Sequence, residues 1–325
     1  MRPGWYYRAV TTVTPALSLH LVNFAVKDPG SWQPMFDRAL AAERAGIDRV
    51  TVSDHVVFGE NLEAYGNPET GGMRGQKQPT GPDGQWLEPM TVLSVVAGMT
   101  KRVRLGTGVL QAALRRPIVL AKTCATLDVL SGGRLDLGIG VGWQREEYEA
   151  AGLSFDGRGP LLDDCLDVLQ NAWRNVPSDH DSQFLTFNRI YCVPQPLQPG
   201  GVPIWVSGTI NPRTLRRVAR FGSAWIPWGD DIRDPAPGLA RIAEVMAEHG
   251  RDMDGFRTQG SLMVRAGDGG AVGKPELAKA LEPVAAQVEA GITDFSLTVP
   301  LPAGQDAAAE VLAGVVDAFH QAAGA

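Results

Sequence analysis

The chain is 325 residues long, 44% hydrophobic and 20% charged, enough to bury a sizeable core as two modest domains or as one large α/β barrel. Its formal net charge of −6 offers no basic face to a nucleic-acid backbone or an anionic membrane, which leaves a small soluble molecule as the expected partner. Cys124, Cys165 and Cys192 lie far apart with no CxxC pair, so neither a disulfide framework nor a zinc knuckle is expected, and a reducing cytoplasm is the plain reading.

The N-terminal stretch MRPGWYYRAVTTVTPALSLHLVNF has no continuous apolar core followed by a small-residue cleavage site, which reads against a signal peptide. No apolar run further on approaches the roughly 20 residues that a membrane helix needs. The first predicted strand is residues 17–23 and the second residues 47–53, which runs straight into Asp54 and His55. Residues 56–88 then carry many Gly, Pro, Asn and Gln with no sustained period, as a long excursion does.

Strand three, residues 102–110, contains GTGVL and is followed by PIVLAKTCATLDVLSGG. Pro117 suits a first helical turn there, and Gly132 or Gly133 a left-handed stop. Strand four, residues 134–140, opens into GVGWQREEYEAAG. Residues 176–201 form a second excursion, with a small hairpin expected from FLTF and IYCV around Asn188 and Arg189. Strand five is 202–208, followed by a helix with Asn211 as N-cap, Pro212 in its first turn and Gly222 as terminator. Strands six, seven and eight are 223–229, 259–266 and 292–300. Most of these strands read as continuous apolar runs, as strands covered on both faces should. Eight βα units in one chain favour a (β/α)8 TIM barrel, an α/β fold, over a doubly wound sheet. The expected organisation is one domain over 1–325 with a long loop insertion at 56–88 and a smaller one at 176–201.

In such a barrel the active groups come from the C-terminal ends of strands. Asp54 and His55 sit at that end of strand two. Two readings stand for them: a turn cap with a satisfied polar neighbour, or a ligand-fixing acid beside an imidazole that exchanges a proton near neutrality. Thr107, Gly108 and Val109 lie in the strand-three run, where glycines mark a bulge, a close approach to a ligand ring, or tight barrel packing. Gly138, Gly140 and Gly142 leave amides open before a helix, as an anion site needs, but they lack the GxGxxG spacing of a dinucleotide fingerprint. Ser207, Gly208 and Thr209 precede a capped helix and offer a second place for a phosphate oxygen, or a well-capped helix and nothing more. Arg213, Arg216 and Arg217 read as a solvated helix face. The five histidines show no HExxH or clustered carboxylates, so no metal is expected, and there is no GxSxG elbow or GxxxxGK[ST] loop.

TVSDH, RLGTGVL, the Pro-initiated helix ending ATLDVLSGGRLDLGIGVGW, and PIWVSG, in that order, resemble the luciferase-like monooxygenase superfamily. The set looks most like its branch of oxidoreductases dependent on the deazaflavin coenzyme F420. The resemblance runs from strand one to the last helix and implies a (β/α)8 barrel, a homodimer, and hydride transfer between F420 and a small organic substrate. It implies that Asp54 contacts the coenzyme and that His55 lies near its redox carbon. It further implies a non-proline cis peptide at Gly108–Val109 under the ring, Gln111 at the ring edge, and Gly140, Val141, Gly142, Trp143, Ser207, Gly208 and Thr209 around the phosphate and side chain. Trp143 stands where sugar-phosphate dehydrogenases of the branch place a glutamate, and VVFGE where they place a tryptophan, which argues against a sugar phosphate as substrate. Trp143 instead narrows the pocket with an aromatic face, and two readings stand for Tyr65, Trp86 and Trp228: they line the rest of the pocket, or they serve as core or loop packing. The alternatives are an FMN-dependent monooxygenase on the same barrel, a flavin-binding protein without turnover, and a lyase or isomerase acting on a phosphorylated substrate.

Overall fold

The structure, a computed structural model, describes residues 13–267 and 272–324. Residues 1–12, part of the stretch read above against a signal peptide, lie outside the described residues. Eight parallel strands close a barrel in sequence order. They are β1 (Ala16–His20), β2 (Arg49–Val52), β3 (Arg104–Thr107), β4 (Leu135–Ile139), β5 (Ile204–Gly208), β6 (Ala224–Pro227), β7 (Arg257–Met263) and β8 (Asp294–Thr298). Each overlaps its predicted run, and the β1–β8 pairing closes the ring. This is the (β/α)8 barrel that the sequence led us to expect.

One expectation is corrected. The strands are not apolar on both faces; several alternate. Leu17, Leu19, Val50, Val52, Leu135, Leu137, Phe295 and Leu297 join the core beneath the helices. Ser18, Arg49, Asp136 and Asp294 meet one another across the inside. Arg49 Nε donates to Asp136 at 2.8 Å and its Nη1 to Ser18 Oγ at 3.1 Å and to Asp294. Its guanidinium also lies 4.2 Å over the Trp205 ring. Arg104 completes the cluster with two bonds to Asp136, at 2.8 and 2.6 Å. Arg49, Arg104 and Asp294 open their strands, Asp136 is second in its own and Ser18 stands in register with Arg49, so charge fills the N-terminal end of the barrel and the C-terminal end is left for a site. At this depth a charge is tolerated only when paired. The paired guanidinium groups accordingly hold the Asp136 carboxyl below its ordinary value against the cost of burial.

The helices pack outside. Among them are α1 (Gln33–Ala45), α2 (Pro89–Met99), α3 (Pro117–Ser131), the short α4 (Arg145–Ala150), α5 (Arg158–Arg174) and α6 (Pro212–Phe221). α3 starts on Pro117 and stops where Gly132 turns left-handed at φ 74°. Asn211 caps α6 by accepting from the amides of Arg213 and Thr214 at 2.9 and 3.1 Å.

Two further sequence readings need correction. The hairpin exists, but its strands are Ser178–Asp181 and Thr186–Ile190, so Asn188 and Arg189 lie within the second strand rather than in the turn. The turn is made by Ser182, whose Oγ accepts from the amides of Phe184 and Leu185, a local hydroxyl bond that competes with strand pairing. Arg217 is buried, not solvated: its Nε donates to Asp163 at 2.6 Å, tying α6 to α5. Arg213 and Arg216 are exposed as expected.

Candidate active site

At the C-terminal mouth the strand ends and the loops above them enclose a cavity of about 510 Å³. Its wall on the β2 side is fixed by Asn23, which follows β1. The Asn23 amide donates to the carbonyls of Ser53 and Leu87 at 2.9 and 2.8 Å and accepts from the Ser53 amide at 3.0 Å. That brace holds the chain leaving β2 and presents Asp54 and His55 one after the other.

Their surroundings differ. Asp54 is buried, and its carboxylate accepts a bidentate pair from Arg115 at 2.5 and 2.9 Å together with the Gln111 amide at 2.8 Å. Burial pushes this carboxyl up from its ordinary value while Arg115 and the Gln111 amide pull it down. Asp54 therefore locks the β3 loop to the end of β2, and both of its oxygens are occupied in doing so.

His55 is packed among aromatic rings, 4.4 Å from Phe58 at a tilt of 36° and in T-shaped contact with Trp86 and Trp143 at 4.9 and 5.6 Å between centroids. Its Nδ1 is 3.2 Å from Glu147 Oε2. Glu147, fully buried on α4, also accepts from the Val56 amide at 2.6 Å and from Gln111 Nε2 at 2.8 Å. Every partner of this carboxylate other than His55 is a donor, so the hydrogen of the imidazole is placed on Nδ1, pointing at Glu147. Nε2 has no hydrogen-bond partner among the described residues and is the nitrogen available to the cavity. Glu147 was not singled out in the sequence; the only trace of it is that a short helix opening REEYEA has two adjacent acids, of which one must turn inward.

We expect Glu147→Gln to free the ring from this orientation and to lower kcat by about tenfold, the worth of one hydrogen bond to a charged group. The acidic limb of the pH–rate profile should move with it. A purely structural role for Glu147 would lower stability and leave that profile in place.

The β3 side forms the floor. The strand breaks after Thr107, and the Gly108–Val109 peptide is cis, as the family resemblance implies. Pairing resumes at Leu110, whose amide donates to the Gly138 carbonyl at 2.7 Å and whose carbonyl accepts from the Gly140 amide at 3.0 Å. This close approach explains the glycines of β4: a Cβ on Gly138 would sit 2.0 Å from the Thr107 carbonyl oxygen. Gly142, at φ 72°, has Gln111 Oε1 where a Cβ would be.

Of the other residues read from the sequence, Gly108, Val109, Gln111, Gly140, Val141, Gly142, Trp143, Ser207 and Gly208 line the cavity with Asp54 and His55. Two do not. Thr107 is buried and donates to the Gly138 carbonyl at 2.7 Å, and the exposed Thr209 donates to the Trp228 carbonyl at 3.2 Å.

The segment 56–88 covers the mouth. It is pinned by the reciprocal bonds of Gly59 with the Gln144 side chain at 3.2 and 3.1 Å, by Trp228 Nε1 to the Gly72 carbonyl at 3.3 Å, and by Arg158 to the Thr70 carbonyl at 2.9 Å. Tyr65, Trp86, Trp143 and Trp228 all line the cavity. Trp86 stacks on Phe24 with centroids 4.3 Å apart, through a two-residue ladder pairing Phe24–Ala25 with Gln85–Trp86.

Three features suit a bound polar ring compound carrying an anionic group. Gln111 Oε1, Trp143 Nε1 and Gln78 Nε2 are buried without a hydrogen-bond partner, and all three residues line the cavity. The amides of Val141, Gly142 and Trp143 have no acceptor among the described residues. Arg158, whose Nε lies 3.4 Å from the Gly142 carbonyl, brings a guanidinium to the same loop; burial and the nearby Arg145 and Arg213 hold its pKa down.

A parallel eight-stranded barrel gathers a histidine, a carboxylate and glycine loops at its C-terminal mouth, the face where the active sites of TIM barrels lie. Consistent with this, residues 16–289 match the sequence model of the luciferase-like monooxygenase family, and the chain belongs to that family. An uncharacterised protein of Mycobacterium tuberculosis is 31% identical over 166 residues, 51% of this chain and 58% of that protein; the match thus spans little more than half of this curated relative. The oxygenase component of a flavin-dependent trigonelline monooxygenase from Acinetobacter baylyi is 37% identical over 121 residues, 37% of this chain and 33% of that protein. Among solved structures, an F420-dependent secondary alcohol dehydrogenase in complex with an F420-acetone adduct superposes with a TM-score of 0.70, covering 94% of this chain and 99% of that one at 16% identity, a likeness of fold. No helix among the described residues is long and apolar enough to cross a membrane.

Proposed function

We propose that this protein is an F420-dependent oxidoreductase that transfers a hydride between the deazaflavin and a small organic substrate. The observation that carries the reading is His55: an imidazole fixed through Nδ1 by Glu147, with Nε2 left for the cavity, beside a glycine floor flat enough to seat a ring. The residues fit such a group. Gly108 and Val109 would lie beneath the ring and Gln111 and Trp143 at its edge, while the amides of residues 141–143 with Ser207 and Gly208 would hold the phosphate.

When bound, a deazaflavin supplies a carbon that takes or gives a hydride. The proton that accompanies this hydride needs a separate carrier, and Nε2 of His55 is placed to take it from a substrate hydroxyl or to return it to a carbonyl. The aromatic cover over His55 keeps water from competing for that proton.

A second reading, an FMN-dependent monooxygenase, is favoured by the flavin-dependent relative from Acinetobacter baylyi. Parallel titrations of the purified protein with oxidised F420 and with FMN, followed by fluorescence quenching, separate the two. F420 is expected to bind at least about tenfold more tightly, a difference of about 1.4 kcal/mol. The reverse preference would replace hydride transfer with oxygen chemistry, and no affinity for either would remove the redox reading altogether.

A further inference from the structure

The two sides of the cavity are chemically unlike. The arc from β3 to β6 is the glycine floor with Ile226. The arc from β7 through β8 and β1 to β2 presents Gln259, Ser261, Ser296, His20 and Ser53, all neutral and all able to make hydrogen bonds. The side chains of Gln259, Ser261 and Ser296 make no hydrogen bond among the described residues, and none of their polar atoms is among those buried without a partner; they open onto the cavity. His20 sits below them, with Nδ1 3.3 Å from Thr51 Oγ1 and Nε2 3.3 Å from Ser53 Oγ. Burial pushes its pKa down to about 4, so this imidazole is neutral and serves to aim the Ser53 hydroxyl.

Charge is missing from the same surface. Among the described residues that line the cavity there is no Lys or Arg, and Asp54 is the one carboxylate, with both oxygens taken by Arg115 and the Gln111 amide. An ionised substrate group would therefore lose its water without gaining a Lys, Arg or free carboxylate to pair with, which disfavours it. A neutral oxygen would lose little, because unused hydroxyls replace its water. Above, Tyr65, Trp86 and Trp143 present ring faces and edges that favour a flat apolar body.

From this arrangement we propose that the substrate is an uncharged compound with a flat ring and a carbonyl or hydroxyl oxygen. The ring packs under Trp86 and Trp143, and the oxygen is received by the hydroxyls of Ser53 and Ser296. The assignment rests on the reading of the cavity as a hydride-transfer site, since it gives the half of the cavity away from the glycine floor to the substrate.

The test uses three probes of similar size that differ in charge, acetophenone, benzoate and benzylammonium, titrated by saturation-transfer NMR into the full protein with and without saturating F420. Acetophenone is expected to bind at least about tenfold more tightly than either ion. Ser53→Ala and Ser296→Ala should each weaken acetophenone about three- to tenfold, one hydrogen bond apiece. Ser296 makes no side-chain bond that its replacement would break, so that variant reads binding rather than folding. Equal or tighter binding of benzoate or benzylammonium, or both serine variants matching the wild type, would overturn the assignment. If F420 binds and acetophenone does not, the substrate class falls and the hydride-transfer reading stands. If acetophenone binds and F420 does not, the class stands and the coenzyme reading falls.

Discussion

His55→Ala is expected to lower kcat by about 10²- to 10⁴-fold, the range for loss of a positioned general acid–base group, with little change in F420 affinity. The reason lies in what the imidazole touches. Its Nδ1 is committed to Glu147 and its ring is packed among Phe58, Trp86 and Trp143, so only Nε2 is left for a ligand. A ring held at its phosphate end by the amides of residues 141–143 and from below by Gly108 and Val109 would lose one edge contact. Added imidazole should recover part of the rate in the alanine variant, because the vacated space between the aromatic rings is the shape of the missing group. Loss of the ring could also loosen those aromatics; a thermal melt run beside the kinetics separates that effect, which would lower affinity and stability together. Turnover at the wild-type rate would take the proton-transfer role away from His55.

The fold was legible because most barrel strands carry outward Leu, Val, Ile or Phe, with Trp225 in that place on β6, and because crossover helices have readable starts or stops, such as Pro117 or Asn211. The site was legible in part. Asp54, His55 and the glycine runs stand at strand ends, where position alone draws attention. What was not legible came from pairing across the barrel. Read as interruptions in apolar runs, Ser18 and His20 on β1, Arg49, Thr51 and Ser53 on and after β2, and Asp294 and Ser296 on β8 hid a period of two that marks the inward face. Read as an alternation, the same residues announce a barrel filled with charge at one end and open to a neutral ligand at the other.

Glu147 and Arg115 were missed for a related reason: each meets its partner across a large sequence separation, and a surface glutamate and a buried one look alike in a short helix. Asp54 has a role that position alone did not announce. The family resemblance implies a coenzyme contact for it, and the structure adds a brace, with its oxygens accepting from Arg115 and from the Gln111 amide at the cavity wall.

Arg115→Met is expected to cost about 3–5 kcal/mol of stability near neutral pH, the usual result of leaving one member of a buried ion pair behind. Arg115 joins Asp54 at the end of β2 to Glu88, 3.0 Å away, whose own carboxylate caps α2 by accepting from the Thr91 amide at 2.7 Å. Removing the guanidinium strands Asp54, which is fully enclosed, while Glu88 is half exposed and turns to water. The effect has a sign in pH. Burial already raises the Asp54 carboxyl above its ordinary value of 3.8 in the folded protein, and without Arg115 the main opposing pull is gone, so it rises further. Between the unfolded value and that higher folded value the native state binds more protons than the unfolded state, so stability falls as pH rises through the window. Urea denaturation at pH 5 and at pH 8 should therefore show a larger deficit for the variant at pH 8. Combining Arg115→Met with Asp54→Asn removes the stranded charge and should return most of the loss at the higher pH. A deficit of equal size at both pH values, or a double variant no more stable than the single one, would mean that the packing of the Arg115 stem, and not its charge, holds the mouth of the barrel together.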